Sequence, residues 1–391
     1  MPKKEVVKVT LGGWFQRTTL HLSEVYEFFE NCNTKLELDR KKLKELHNAL
    51  DLTSVKREQG YFEYVKAVTK DGIIIKYYED GLYILEYESD DIIASKEYLD
   101  HFFENKLNPA INFIFSLGAP TPKILANINQ KHPIVVSVID RQHSKYEIDK
   151  NYGDVYSKIT SKNITVYKTP PFIFVVASPT QKDNLTSLVE MQIFFREFKD
   201  QLQRYLDIHR KIWEEISDIK EKEYIQGRDV SEHRARLDSY RKSITLIRDR
   251  INQMDPYAKT RSSISKYLRL DETLSVLFRY KYEDLFSTLS YIKEIWRMTS
   301  EYVDSAISMI KEVETQAISS SIKSIQILAS VGVVAGILGY LTRESLPSVS
   351  SSGAFYFGGL IVLAVLINYA IKLYYKNKKY KLKFIEHAKN I

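Results

Sequence analysis

The sequence predicts an α/β domain, then long stalk helices of the coiled-coil kind, then two C-terminal transmembrane helices. Three observations carry this. Residues 1–180 alternate short runs rich in Ile, Tyr and Val with turn residues. Between residues 180 and 331 there is one Gly, Gly227, and one Pro, Pro256. After Lys323, two long stretches carry no charge.

In the first region, taken as residues 1–180, β-branched and aromatic runs predict strands over Tyr61–Lys70, Gly72–Tyr78 and Leu82–Glu88. Glu79-Asp80-Gly81 is the hairpin turn between the last two. Ile134–Asp140, Ile164–Lys168 and Phe172–Ala177 read as further strands. Ser23–Asn31, Asp39–Leu50 and Ser95–Asn105 read as helices, with Ser23 and Ser95 as N-caps.

In the second region the near absence of breakers predicts three long helices, interrupted at Gly227 and Pro256. From Leu188 the apolar positions Met191, Phe195, Phe198, Leu202, Tyr205, His209, Ile212, Ile216 and Ile219 step alternately by three and four, an unbroken heptad seam. His209 sits on that seam, where a structural role outweighs a switch or a ligand. Leu237, Tyr240, Ile244, Ile247, Ile251 and Met254 repeat the spacing. The short connection at Gln226–Asp229 makes residues 181–256 an antiparallel hairpin. The third stripe runs through Ile264, Leu274, Phe278, Leu285, Leu289, Ile292, Trp296, Val303, Ala306, Ile310 and Val313. With no breaker from Tyr257 to Thr342, a single helix there would be about 130 Å long. Residues 257–323 are its stalk portion.

Ser324–Thr342 gives 19 residues without charge and Ser345–Ile371 gives 27. A bilayer core needs roughly 20 apolar residues per helix, so the expected spans are 324–342 and 354–374. The net charge of +7 is local: residues 372–391 hold seven Lys against Glu386, leaving +1 for residues 1–342. A basic segment beside a span stays on the cytoplasmic side and meets anionic lipid. The expectation is therefore a multi-pass protein of the cell membrane with both termini cytoplasmic and a basic tail over 375–391. A nucleic-acid partner is not expected. Cys32 is the only cysteine, so no intrachain disulfide forms. No Walker loop, Gly-x-Gly-x-x-Gly, Gly-x-Ser-x-Gly or paired-His zinc motif occurs, so the chain reads as no enzyme.

The order of elements, together with Ala335-Gly336-Ile337-Leu338-Gly339-Tyr340-Leu341, resembles the CorA family of two-transmembrane magnesium transporters. Members typically read Ala-Gly-Ile-Tyr-Gly-Met-Asn at that place. Here two of the three signature residues differ, and Leu341 stands where the family has Asn. The resemblance implies a homopentamer whose long helices line a pore, with Mg²⁺ or another divalent cation as cargo and Gly336, Gly339, Tyr340 and Leu341 at the outer mouth. Laid on the family pattern without gaps, Asp304, Ile318, Ser321, Ile325, Ala329, Gly332 and Gly336 face the pore. Asp304 reads equally as a solvated charge, and Gly332 with Gly336 as a helix-packing pair. Asp90 and Asp91 would contribute to a metal site between subunits, with a solvated turn as the alternative. Leu offers no oxygen to a hydrated Mg²⁺, so magnesium selectivity should be weak. A second function follows from the same resemblance: a membrane effector gated by a small nucleotide-like ligand in the cytoplasmic domain, as is thought of CorA-like proteins beside type III CRISPR systems. A third is a non-conducting scaffold.

Overall fold

A computed structural model describes residues 5–15, 22–115, 133–341 and 351–382. The chain divides into two compact units, one of residues 1–207 and 246–294, the other of 208–245 and 295–391.

The first unit is built on a nine-stranded sheet. In chain order its elements are β1 (Glu5–Trp14), α1 (Leu22–Asn31), α2 (Arg40–Leu50), β2 (Leu52–Gln59), β3 (Glu63–Thr69), β4 (Ile74–Tyr78), β5 (Leu82–Glu88), α3 (Ile92–Phe102), α4 (Asn108–Phe115), β6 (Ile134–Ile139), β7 (Ser157–Thr160), β8 (Ile164–Lys168) and β9 (Phe172–Ala177). The strand order is β2-β3-β4-β5-β1-β6-β9-β8-β7. Among the described strands only β6 and β9 pair in parallel. Strand burial follows position. β9 is buried throughout, as strands covered on both faces are. The edge strand β2 is mostly exposed and carries Lys56, Arg57 and Glu58, charges that discourage pairing with another chain.

One sheet face packs on α1, α3 and α4 through Val25, Phe28, Phe29, Leu99, Phe102 and Ile111. The other carries helix α5 (Lys182–Lys220). There Trp14 stacks on Phe198 at 5.3 Å, and Arg196 donates to the carbonyls of Gly12 at 3.2 Å and Pro133 at 2.8 Å. This tight seating explains the glycines of β1. A Cβ on Gly12 would lie 2.8 Å from Ile84, and one on Gly13 would overlap the Tyr83 ring.

The predicted strands and the turn at Glu79–Gly81 are present, with β4 and β5 antiparallel. The expected caps are not. The α3 cap is Asp91, which accepts from the Ala94 N–H, and Ser95 lies inside the helix bonded back to the Asp91 carbonyl. Ser23 is the second residue of α1.

The remaining elements are β10 (Tyr224–Gln226), α6 (Val230–Tyr267), α7 (Asp271–Phe278), α8 (Tyr282–Leu341), α9 (Ser351–Asn377) and β11 (Lys379–Lys381). The apolar stripes are buried as the spacing predicts, with Phe198, Ile216, Ile244, Ile292, Trp296 and Val303 at 0% exposure. The predicted break at Pro256 does not occur. Proline there deletes one backbone donor, but buried Met254 and Ala258 hold the helix on either side. The single helix expected over Tyr257–Thr342 is three: the end of α6, then α7, then α8. Arg269 and Arg279 break it in the left-handed conformation at φ 56° and 58°, a role usually taken by glycine.

In the second unit the connection at Gly227 does more than turn. β10 pairs antiparallel with β11, setting Ile225 opposite Tyr380. The Gly227 N–H donates to the Lys378 carbonyl at 3.0 Å and the Leu382 N–H to the Glu223 carbonyl at 3.0 Å. The start of the basic tail is thus a strand on the hairpin tip.

Candidate functional site

The residues expected to line a pore lie on α8 in the second unit. Below them the helix is seated, with Val303, Ala306, Ile310 and Val313 buried. Asp304 is exposed beside Val303. Further along, the described side chains are all exposed, the apolar positions Ile318, Ile322, Ile325, Ala329, Gly332, Val333 and Gly336 together with Ser319, Gln326 and Ser330. Ile318, Ile322 and Ile325 are 55%, 50% and 49% exposed, and nothing lies within 4 Å of a Cβ built on Gly332 or Gly336. Helix α9 is similar, with Phe355, Val362, Val365 and Leu366 all more than half exposed. The side chains of Ser321, Gly339, Tyr340 and Leu341 lie outside the described set. So do many others in the two charge-free runs, and among the described residues no helix is long and apolar enough to cross a membrane.

Asp90 and Asp91 fall in the turn before α3. Asp91 spends one carboxylate oxygen on the Ala94 N–H at 3.0 Å, which gives it a local role independent of metal. Among the described residues of one chain, no group of three His, Cys, Asp or Glu is placed to hold a metal ion. His209 lies beside Trp213 and Trp296, ring centroids at 5.7 and 6.2 Å. Burial, and then Arg210, hold its pKa below the usual imidazole value.

A second site lies wholly within the α/β unit and was not legible in the sequence. A half-open cavity of about 250 Å³ is bounded by the β2–β3 turn, β4, α5 and the end of α6. Its floor is Arg261, 2% exposed. Asp80 holds the guanidinium through two bonds of 2.7 and 3.0 Å. Its faces meet Phe62 at 4.7 Å and Tyr78 at 4.8 Å, a cation–π cradle. One wall is the ring pair Tyr64–Tyr78, centroids 4.9 Å apart. Beside it Lys76 bridges Glu190 at 2.9 Å and Glu86 at 3.0 Å. Burial alone would lower the Lys76 pKa, but Glu190 and Glu86 outweigh it and hold the amine above its ordinary range. Burial, then hydrogen bonding to Glu58, pushes the Tyr64 phenol up to about 12. At neutral pH the wall therefore presents protonated phenols and a charged amine. At the mouth is Tyr61, 57% exposed, whose ring lies 5.1 Å from that of Tyr267, 72% exposed.

The signal missed in the sequence was the density of tyrosine between residues 61 and 78, which strand propensity alone accounts for. Arg261 was hidden by distance, being 181 residues from Asp80.

No family model matches the chain, and neither does any curated protein. One solved structure, the complete CorA magnesium transporter of Methanocaldococcus jannaschii, aligns over 63% of this chain and 92% of its own, at 10% identity and a TM-score of 0.25. A likeness of that degree carries no argument about this chain's function.

Proposed function

We propose that this is a CorA-like oligomeric protein of the cell membrane that passes cations, with both termini on the cytoplasmic side. The observation that carries the reading is the exposure of the described aliphatic and glycine positions from Ile318 to Gly336. A helix that buries its apolar positions as far as Val313 presents aliphatic and glycine positions openly beyond it. In a single chain in water that exposure is unfavourable by roughly 25 cal/mol per Å², and neighbouring copies and lipid remove it. A closed ring, most simply the pentamer of the resembling family, covers such a face by symmetry. The charge-free lengths of both runs and the lysine-rich segment after α9 support the membrane placement and its orientation.

In this reading α8 of each copy lines the path. Asp304 carboxylates gather cations at the inner end, and Leu341 stands at the outer mouth. A ring of Leu contributes no oxygen and, where narrow, opposes wetting. Weak magnesium selectivity and low resting conductance follow. The test is cation flux in proteoliposomes, comparing Mg²⁺ with monovalent ions. Leu341→Asn should raise Mg²⁺ flux. Selective Mg²⁺ passage by the unmodified protein, unchanged in the variant, would show that the mouth lies elsewhere. Absence of flux for every cation, in both proteins, would favour a scaffold.

A second reading, in which a small ligand in the α/β unit opens the path, is favoured by one observation: the aromatic cavity above Arg261.

A further inference from the structure

From the strand pair at the hairpin tip we infer that the tip of the α5–α6 hairpin is a docking surface for anionic lipid headgroups, formed jointly by Tyr224 and Arg228 of the hairpin and the lysines of β11. This rests on the membrane placement proposed above. It adds a stalk element, far from the tail in sequence, to the lipid-facing surface.

The position of the tip follows from backbone hydrogen bonds. The Arg228 N–H donates to the Lys376 carbonyl at 2.9 Å, and the Gly227 N–H to the Lys378 carbonyl at 3.0 Å. The tip thus supplies a donor to the last turn of α9, where a helix leaves its carbonyls unsatisfied. Lys376 stands two residues past the expected span, which ends at residue 374. Along a helix that is about 3 Å. The headgroup layer adds roughly 5–7 Å to each side of the hydrocarbon core. Where α9 crosses a bilayer, the hairpin tip therefore lies at the headgroups. The exposed side chains of α9 lead there, with Leu366, Tyr369 and Tyr374 at 59%, 63% and 65% exposure. Tyrosine is favoured at that level, where one end of the ring is apolar and the other wet.

The chemistry of the surface follows from register. Tyr224 lies opposite Lys381, Ile225 opposite Tyr380 and Gln226 opposite Lys379. Directly opposed residues share a face, and successive residues alternate. Ile225 and Tyr380 form the buried face, at 2% and 5% exposure. Tyr224, Gln226, Lys379 and Lys381 form the other, with Tyr224 48% exposed and both lysines exposed. Between residues 374 and 382 there are four lysines and no acid, and between 222 and 229 the two basic and two acidic residues cancel. Asp229 is engaged by Arg228 at 3.4 Å. Lys378 lies over the rings of Tyr375 and Tyr380, and among the described residues none of the four lysines has a carboxylate partner. A surplus of four positive charges is thus held within about 8 Å of the headgroups, one Debye length at physiological salt. Each basic residue so placed strengthens attachment to an anionic surface about fivefold. A ring beside an ammonium on one face suits a boundary that is apolar on one side and anionic on the other.

The experiment uses the full chain with Cys32→Ser and one introduced cysteine carrying a fluorophore, reconstituted in vesicles of mixed phosphatidylcholine and phosphatidylglycerol. One of the two lipids at a time carries a spin label near its glycerol, at equal fraction, and quenching is read. At Gln226→Cys both lipids should quench, phosphatidylglycerol about twofold or more the stronger. At Ser239→Cys, roughly 15 Å further along α6, quenching should be slight. The preference for phosphatidylglycerol should disappear when Lys379→Gln and Lys381→Gln are combined, and at high salt. Arg228→Gln alone, which keeps its backbone donor, should lower it. All three substitutions are at exposed positions and should leave the melting temperature unchanged. Leu363→Cys, 53% exposed on α9, reads the span by itself through a lipid labelled in mid-chain. Gln226→Cys quenched no more than Ser239→Cys, equal quenching by the two lipids, or a preference that survives Arg228→Gln or the lysine pair would each overturn the docking surface while a quenched Leu363→Cys left the span standing. An unquenched Leu363→Cys would overturn the membrane placement and the docking surface together.

Discussion

Arg261 in the α/β unit is 2% exposed and held by Asp80 between two aromatic rings. Ile318, Ile322 and Ile325 in the helical unit are about half exposed, and Phe355 on α9 is 85% exposed. One unit hides a charge by giving it every partner it needs from the same chain. The other leaves those described side chains about half exposed or more in a single chain. The contrast shows where folding of one copy is sufficient and where its surface calls for something more, whether lipid or further copies. It also separates two kinds of mutation: those that damage a fold and those that damage an assembly.

The largest expected effect tests the sufficiency of the α/β unit. Arg261→Leu strands the Asp80 carboxylate, 0% exposed at its side chain. Removing one partner of a buried pair costs about 3–5 kcal/mol. The α/β unit should then unfold at lower denaturant, read by Trp14 fluorescence, because Trp14 donates to the Asp80 carbonyl. A loss below about 1 kcal/mol would mean that solvent reaches the pair, and the claim of internal satisfaction would fail.

How much of this could be read beforehand differs between the units for the same reason. Heptad stripes were legible because helix packing is local in sequence: Leu188 through Ile219 follow one rule, and every aliphatic member is buried. Strands with alternating or continuous apolar runs were legible too. β1 was not, since Gly12 and Gly13 lower strand propensity and are there for the close approach of Ile84 and Tyr83. The breaks at Arg269 and Arg279 carry no breaker residue, and the pass through Pro256 carries one that tertiary packing overrides. The β10–β11 pair joins residues about 155 positions apart in sequence, and strands of three residues leave no period to detect. Of the site residues, the Gly332–Gly336 spacing was visible as a stripe, whereas the aromatic cavity exists only once β3, β4, α5 and α6 are brought together.

The next effect, smaller, probes the helical unit's own internal fastening. A Cβ on Gly227 would overlap the Tyr375 carbonyl and stand 3.3 Å from the Tyr380 ring. Gly227→Ala forces a backbone shift, an overpacking of about 1–3 kcal/mol, and loosens the tail strand. Hydrogen exchange should quicken at the amides of Gly227 and Leu382, which donate across the pair. The sheet amides of the α/β unit should not change. If they quicken equally, the two units do not fail separately and the contrast drawn above is wrong.

Asp91→Ala sharpens the contrast at about 1 kcal/mol, the usual cost of a lost N-cap. A cap acts within one chain, so the fall in melting temperature should be the same with and without Mg²⁺. A fall seen only with Mg²⁺ present would reassign Asp91 from cap to metal ligand between subunits.

The smallest effect concerns His209 and carries a sign. Burial and Arg210 lower its folded-state pKa, while in the unfolded chain it titrates near 6.5. Between the two values the unfolded state binds the proton and the folded state does not, so stability rises with pH through that window. Above about 6.5 both states are neutral and the term vanishes. As pH falls through the lower value the penalty is complete. Half exposure screens it, so the effect should be the smallest of these. His233 is also lowered, by burial and Lys222 foremost, and contributes a slope of the same sign. The informative quantity is therefore the difference between parent and His209→Phe, with melting followed from pH 7.5 to 5.5. The parent should lose more than the variant on acidification, and Phe should keep contact with Trp213 and Trp296. Equal slopes would show that His209 is solvated in both states. An opposite difference would show that it gains a carboxylate partner in the assembled protein, and the stalk would then be a surface that single-chain burial does not describe.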